Sequence, residues 1–453
     1  MDKNNGAIYD ARKLGKPKMI ILGVQHMFAM FGATILVPIL TGLDISTTLL
    51  MAGLGTLLFH CITKFKVPAF LGSSFAFLGG YAAIKAFSPN DPNSMLPYAC
   101  LGVACAGLIY FILAAVIKAV GIEKVMRFFP PVVTGPIIIA IGLGLAPSAV
   151  SNCTTNWFLA VVALAVIVVF NIWGKGMAKI IPIILGLLIS YGTGLVLYFI
   201  SQANPDLIQN VPWLFSGGAD ANGVYQPIFD FTSLNTICDN ISKGHIFGSE
   251  GLIGIPIHWD KTVFGGIDYS NGALIASSII AIVPIAFATM MEHIGDICAI
   301  SSTTGNNYIK DPGLHRTLVG DGLATTLASL FGGPANTTYG ENTGVLALTR
   351  VYDPRVIRIA AYFAVAVSFF PIVSVIIGSI PSCIIGGISF VLYGMISAIG
   401  VRNVVENKVD FTKSRNLIVA AVILVCALGL SSDTVSFTTV SYTHLTLPTI
   451  LRV

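Results

Sequence analysis

Three acidic side chains stand in surroundings that ought to reject them. Glu292 and Asp296 lie in the run Met290-Met-Glu-His-Ile-Gly-Asp296, and Glu341 lies in Tyr339-Gly-Glu-Asn342, each within otherwise apolar sequence. A carboxylate at the centre of a bilayer costs at least ~2.5 kcal/mol, so such residues mark substrate or proton pathways. Glu292 and Asp296 are four residues apart and share one helix face. Like charges held close in a low dielectric favour a bound proton, so this pair can carry one near neutral pH. The plainer reading is that the acids only pair with buried donors such as His293 or Asn342 and fix helix packing. Glu341 follows directly on Pro334-Ala-Asn-Thr-Thr-Tyr-Gly340, a break after which a half-helix would begin with its free N–H groups pointing into a cavity. A ligand that donates N–H groups to carboxylates and offers C=O groups to those amides fits this chemistry. An amino acid or a sugar phosphate brings its own anion and is repelled. Phe75, Tyr339 and Tyr393 can flank a flat ring, although an aromatic residue in a membrane helix is usually packing. No metal-ligand spacing or sodium site is evident.

The elements that must hold these residues follow from composition. Of 453 residues, 55% are hydrophobic and 10% charged, against roughly 25% charged in a soluble domain. This excludes an ordinary water-soluble globule and predicts an all-α polytopic membrane protein in a lipid bilayer. A net charge of +4 spread between apolar runs gives no footprint for nucleic acid, and eight scattered cysteines form neither a disulfide framework nor a metal motif. The polar, basic stretch Met1 to Lys18 lacks the apolar core of a cleavable signal peptide. Apolar runs of about 20 residues predict helices over 19–40, 46–63, 97–117, 132–149, 157–173, 180–200, 273–290, 315–331, 356–378, 381–399 and 416–431. Two further stretches, 68–84 with Pro68, Gly72, Gly79 and Gly80, and 334–349 with Pro334, Gly340 and Gly344, are interrupted. They are expected to be broken helices with short extended stretches, tolerated at membrane depth only where they line a cavity. With the N-terminus in the cytoplasm and all these segments crossing, 21 of the 25 Lys and Arg fall inside, three outside (Lys85, Lys243, Lys261) and one, Arg452, in the tail, a bias that supports the orientation. The polar stretch 201–265 then lies outside, as a solvated loop or a lid over the ligand.

The chain also resembles itself. Gln25-His26 parallels Glu292-His293, Pro68-Ala69 parallels Pro334-Ala335 at a shift of 266 residues, and Pro130-Pro131-Val-Val-Thr-Gly135 parallels Pro381-Ser-Cys-Ile-Ile-Gly386. An odd number of segments separates the members of each pair, which inverts the second copy. Inverted repeats with a broken helix in each half are the architecture of alternating-access carriers.

Glu341-Asn-Thr-Gly344, four residues, then Thr349-Arg350 resembles the motif of the nucleobase/ascorbate transporters. Asn336-Thr-Thr-Tyr-Gly-Glu-Asn342, Gln25-His-Met-Phe-Ala-Met-Phe-Gly-Ala33 and Pro68-Ala-Phe-Leu-Gly-Ser-Ser-Phe-Ala-Phe77 are similar to the bacterial uracil permease branch in particular. The similarity runs from about 19 to about 440. It implies fourteen segments in two inverted sevens, a core and a gate domain, and a homodimer formed through the gate. It puts uracil between Glu292 and Glu341, with backbone contacts from Phe75 and Gly340 and packing from Ala33, Tyr339 and Tyr393. Glu at 341 is the uracil-branch choice, where xanthine and urate carriers tend to have Gln. The chain departs at Asp296, where a uracil permease has His, so proton coupling falls to Asp296 or Glu292.

The expected domains are 19–117 and 273–378 for the core, 118–200 and 379–440 for the gate, and 201–272 for the extracellular region. Residues 441–453 do not read as a native fourteenth helix and are expected to be a foreign tail, with the last segment missing. The implied function is proton-coupled uracil symport in a bacterial inner (cytoplasmic) membrane, the alternative being a xanthine or other purine permease of the same fold. No enzyme activity, cofactor or metal is expected. An intramembrane aspartyl protease, superficially echoed by Tyr352-Asp353 and Gly295-Asp296, fails because residue 293 is His rather than Gly, the motif order is reversed and Asp353 sits in a basic loop.

Overall fold

The structure, a computed structural model, describes residues 7–125, 130–220 and 222–430, with the side chains of Ile180, Glu341 and Leu430 left aside. The expected tail at 441–453 lies outside the described residues. Counting helices of eight residues or more, the chain begins with α1 (Lys16–Thr41), α2 (Ile45–Ile62), strand β1 (Leu71–Ser73), α3 (Leu78–Lys85) and α4 (Leu96–Val120). There follow α5 (Pro131–Gly144), α6 (Ala146–Cys153), α7 (Trp157–Trp173), α8 (Pro182–Ala203), strands β2 (Ser216–Ala219) and β3 (Tyr225–Pro227), and α9 (Thr232–Ser242). The second half holds α10 (Gly272–Ile282), α11 (Ile285–Thr304), α12 (Leu314–Leu330), β4 (Asn336–Thr338), α13 (Gly340–Thr349), α14 (Pro354–Ser368), α15 (Pro371–Gly378), α16 (Ser382–Glu406) and α17 (Ser414–Leu430). Among the described residues seven helical stretches are long and apolar enough to cross a membrane, or eight if one bent pair counts as a span.

Contacts divide the chain into two units. Unit 1 holds the described residues of Met1–Ala140, Pro256–Phe369 and Gly400–Val453; unit 2 holds Ile141–Ile255 and Phe370–Ile399. These bounds put the described residues of 118–140 and those after 399 with unit 1, whereas the expected domains had them in the gate.

In unit 1 the helices approach closely because small residues face each other. A Cβ on Gly107 of α4 would meet Gly322 O of α12 at 2.7 Å, and one on Gly322 would meet Gly107 O at 2.6 Å. The Thr326 hydroxyl seals the same crossing on Ala104 O at 3.1 Å. Lipid is as apolar as leucine and gives no hydrophobic drive between spans, so this close backbone packing does that work. Unit 2 is held differently. Asn156 caps α7 by accepting from Leu159 N–H (3.1 Å), and its amide donates to Ser216 O (2.9 Å), which ties α7 to the β2–β3 hairpin. Phe229 and Phe231 stack at 5.2 Å, with Tyr198 edge-on to both.

Three sequence expectations need correction. The run 356–378 is two helices, α14 and α15, rather than one span. Pro371 cannot donate to the helix and drives Phe370 out of the helical region, to φ −104° and ψ 98°. The run 273–290 ends too early, because α11 continues through its polar residues to Thr304. The stretch 201–265 is neither one long loop nor structureless, since it folds into short helices, α9 and the hairpin.

The two interrupted segments form one feature. β1 and β4 pair antiparallel, Leu71 with Thr338, Gly72 with Thr337 and Ser73 with Asn336. Beyond the strands, Tyr339 N–H donates to Phe70 O (3.0 Å) and Ser74 N–H to Ala335 O (2.8 Å). Flanking helices satisfy polar groups the ladder leaves over. Thr56 of α2 accepts from Leu71 N–H at 2.9 Å, Thr325 of α12 donates to Asn336 O at 2.5 Å, and the Asn336 amide donates to Met51 O at 2.8 Å. Backbone buried away from water needs such partners.

Candidate functional site

Helix α11 turns two faces to different surroundings. Thr289, His293, Ile297, Ile300 and Thr304 are buried in unit 1, while Glu292 and Asp296, four apart, are half-buried on the neighbouring face. This face is open, since a Cβ added at Gly295 would meet nothing within 4 Å. Across from it, α13 begins at Gly340, where a Cβ would lie 3.4 Å from Asp296 Oδ1. The N-cap, Tyr339, makes no side-chain cap bond, and the N-terminal turn of α13 faces the acid. Glu341 is the second residue of this helix.

Asp296 is wired into the interior. The Thr338 hydroxyl on β4 lies 3.1 Å from Asp296 Oδ2 and 3.3 Å from His293 Nδ1. The same Nδ1 lies 3.4 Å from Asp321 Oδ1 of α12, and both side chains are fully buried. Thr337 donates to the other Asp321 oxygen at 3.4 Å. A hydroxyl can donate to one neighbour and accept from another, so Thr338 couples the half-open carboxylate to the sealed His–Asp pair. His293 is therefore a buried partner of Asp321 and Thr338.

Asp321 is the residue that sequence reasoning passed over. An acid within the apolar run 315–331 meets the criterion that singled out Glu292, and the same rule would have found it. Thr337 and Thr338 carried no signal of their own, because a hydroxyl beside a break is ordinary.

The remaining expected residues divide. Tyr339 is buried, with its hydroxyl donating to Ser73 O (2.9 Å) and accepting from Thr34 (3.2 Å). Its ring lies so close over Gly72 that a Cβ there would meet ring carbons at 2.5 and 2.6 Å. Tyr339 thus clamps β1 to β4. Ala33 is buried on α1 next to Thr34, and Phe75 is half-buried in the turn after β1. Tyr393 is buried on α16 within unit 2 and so is not among the residues unit 1 brings together.

A helical chain with several membrane-length apolar helices and a half-open acidic face where two interrupted segments pair belongs to the class of multi-pass membrane transporters. The model of the permease family that covers xanthine and uracil permeases matches residues 17–435, and the chain belongs to that family, the nucleobase/ascorbate transporters. It is similar to a uracil permease of Bacillus caldolyticus, 39% identical over 421 residues that cover 90% of this chain and 85% of the relative. A putative pyrimidine permease of Escherichia coli (strain K12) is 35% identical over 428 residues, 94% of this chain and 86% of that one. Among solved structures, the transmembrane domain of a cyanobacterial bicarbonate transporter matches with a TM-score of 0.62 at 12% identity, covering 93% of this chain and 97% of that domain. That likeness is one of fold. The relatives are permeases, and the chain is a permease rather than an enzyme.

Proposed function

We propose that this permease takes up uracil with a proton by alternating access. The observation that carries the reading is the approach of Asp296, one helical turn beyond Glu292 on α11, to the start of α13 at Gly340. Uracil is neutral, offers two N–H donors and two carbonyl acceptors, and so fits carboxylates on one side and backbone amides on the other. Glu292 and Glu341 accept its N–H groups, Phe75 and Gly340 supply backbone contacts, and Ala33 and Tyr339 pack behind. The names of the relatives support uracil over xanthine, as does Glu rather than Gln at 341. In this reading Asp296 carries the coupled proton. Two ionised carboxylates one helical turn apart repel, so a uracil that favours ionised Glu292 pushes the proton to Asp296. Thr338, held in turn by His293, fixes its orientation.

The register of β1 and β4 supports an inverted repeat. A shift of 266 residues carries Leu71 onto Thr337 and Gly72 onto Thr338, and the local two-fold it implies passes within the antiparallel ladder, between the pairs Leu71–Thr338 and Gly72–Thr337. Unit 1 then serves as the core that carries substrate, and unit 2 as the gate through which a homodimer forms. The Lys and Arg bias supports a cytoplasmic N-terminus in a bacterial inner membrane.

Uptake of labelled uracil into proteoliposomes tests the reading. An inward proton gradient should drive saturable accumulation that unlabelled uracil competes away. Accumulation unaffected by collapsing the gradient, or competed by xanthine and not by uracil, would overturn it.

A further inference from the structure

Chain termini are commonly loose unless something ties them down, and the segment before α1 is tied at every residue from Ile8 to Ala11. Ile8 N–H donates to Arg350 O and Ile8 O accepts from Tyr352 N–H, both at 2.8 Å. The Tyr9 hydroxyl donates to Thr304 O at 2.7 Å, and its ring meets Tyr352 edge-on at 5.5 Å. Asp10 pairs with Arg12 (2.8 Å) and Arg355 (2.9 Å). Ala11 N–H donates to Asp353 Oδ2 at 2.8 Å, while Asp353 Oδ1 caps α14 through Arg355 N–H at 2.9 Å. Ala11, Val351 and Val356 form a small buried cluster beneath, with Ile8, Leu14, Met19 and Leu22 packed against it.

The anchors share a property. Thr304 is the last residue of α11, Arg350 is the C-cap of α13 and Asp353 is the N-cap of α14. The segment therefore joins the ends of the two helices whose other parts carry the acids. Asp296 stands eight residues from Thr304, about 12 Å along α11, and Glu341 nine residues from Arg350, about 14 Å along α13. At such lengths a helix moves as a rod, so a shift at the joined ends alters the gap between Asp296 and the start of α13 at Gly340.

We propose that residues 8–14 are a clasp that sets the spacing of α11 and α13, which makes Tyr9 and Asp353 positioning residues for substrate. The proposal rests on the reading that Glu292 and Glu341 bind uracil. The Arg12 hydrogen bond holds the half-buried Asp10 carboxyl down at about 2. The clasp works through geometry, with Tyr9 reaching α11 and the Ile8 backbone reaching the link after α13.

The test uses the full chain in proteoliposomes, with Tyr9→Phe, which removes only the hydroxyl, and Tyr9→Ala, which also removes the ring. Hydrogen exchange over 296–304 and 340–350 should quicken in both, more in Tyr9→Ala. The uracil KM should rise by roughly tenfold in Tyr9→Ala at unchanged maximal rate, since remote misplacement by an ångström can cost up to about a hundredfold. If Tyr9→Ala does not reach the membrane, Tyr9→Phe carries the test with a smaller rise. Unchanged exchange overturns the clasp; faster exchange with unchanged KM overturns its positioning role. Glu292→Ala in parallel separates the two levels. If it abolishes uracil binding while the Tyr9 variants keep a normal KM, the clasp fails and the site stands. If it binds uracil normally, the site is misassigned and this role for the clasp falls with it.

Discussion

The two interrupted segments share a plan and divide the chemistry. Each opens with Pro-Ala, extends for three residues as a strand and continues into a short helix, β1 into α3 and β4 into α13. Aligned from those openings, Gly72 stands where the other segment has Thr338, and Ser73 where it has Tyr339. Gly72 must be small because the Tyr339 ring lies on it, and Ser73 offers a carbonyl to the Tyr339 hydroxyl. Thr338 reaches Asp296 and His293. The first segment thus supplies shape and the second supplies the polar links. Pairing between them lets one half be specialised for charge while the other holds it in place.

The comparison can be broken at its strongest point first. Glu292→Ala and Glu341→Ala should each abolish uracil binding in membranes while the protein remains folded, because each leaves a ligand donor unpaired in a dry site at a cost of roughly 1–3 kcal/mol or more. Isothermal or scintillation binding on purified protein measures this, and normal affinity in both variants would move the site elsewhere. Asp296→Asn should keep binding and exchange of uracil across the vesicle wall but lose gradient-driven accumulation. Wild-type accumulation in that variant would assign coupling to Glu292.

On the shape-giving side, Gly72→Ala should lower the thermal stability of detergent-solubilised protein by about 1–3 kcal/mol, the usual cost of overpacking. Tyr339→Phe in the same background should not restore it, since the collision is with the ring and not the hydroxyl. A neutral Gly72→Ala would mean that the strand pair yields more readily than its register suggests. The smallest effect is expected at Thr338→Val, which keeps the volume and removes the hydroxyl. Uracil affinity should fall by no more than about tenfold, the equivalent of one hydrogen bond to a charged group, while the pH dependence of uptake shifts. An unaltered pH profile would detach Thr338 from the proton-bearing acid.

Much of unit 1 was legible in the sequence. The spans α1, α2 and α4 end within a few residues of the apolar runs, because a bilayer fixes how long such a run must be. The two breaks were visible as Pro and Gly at sites where a helix cannot continue. The helix break before Pro371 was missed because the apolar run through it is unbroken and hydropathy is blind to a lost N–H. Glu292, Asp296 and Glu341 stood out by cost alone. Asp321 did not, although the same cost applied to it.

What the sequence determines by itself is which residues a bilayer must either exclude or put to use, since transfer free energy belongs to each side chain wherever the chain goes. It also carries the family motif, a property of order along the chain. Only the tertiary structure decides partners. That Thr338 joins Asp296 to a sealed His293–Asp321 pair, that Tyr339 spends its hydroxyl on Ser73, and that Tyr9 reaches Thr304 at a separation of 295 positions are matters of distance between segments remote in sequence. Hydrogen bonds fade within a fraction of an ångström, and no pattern along the chain encodes such distances.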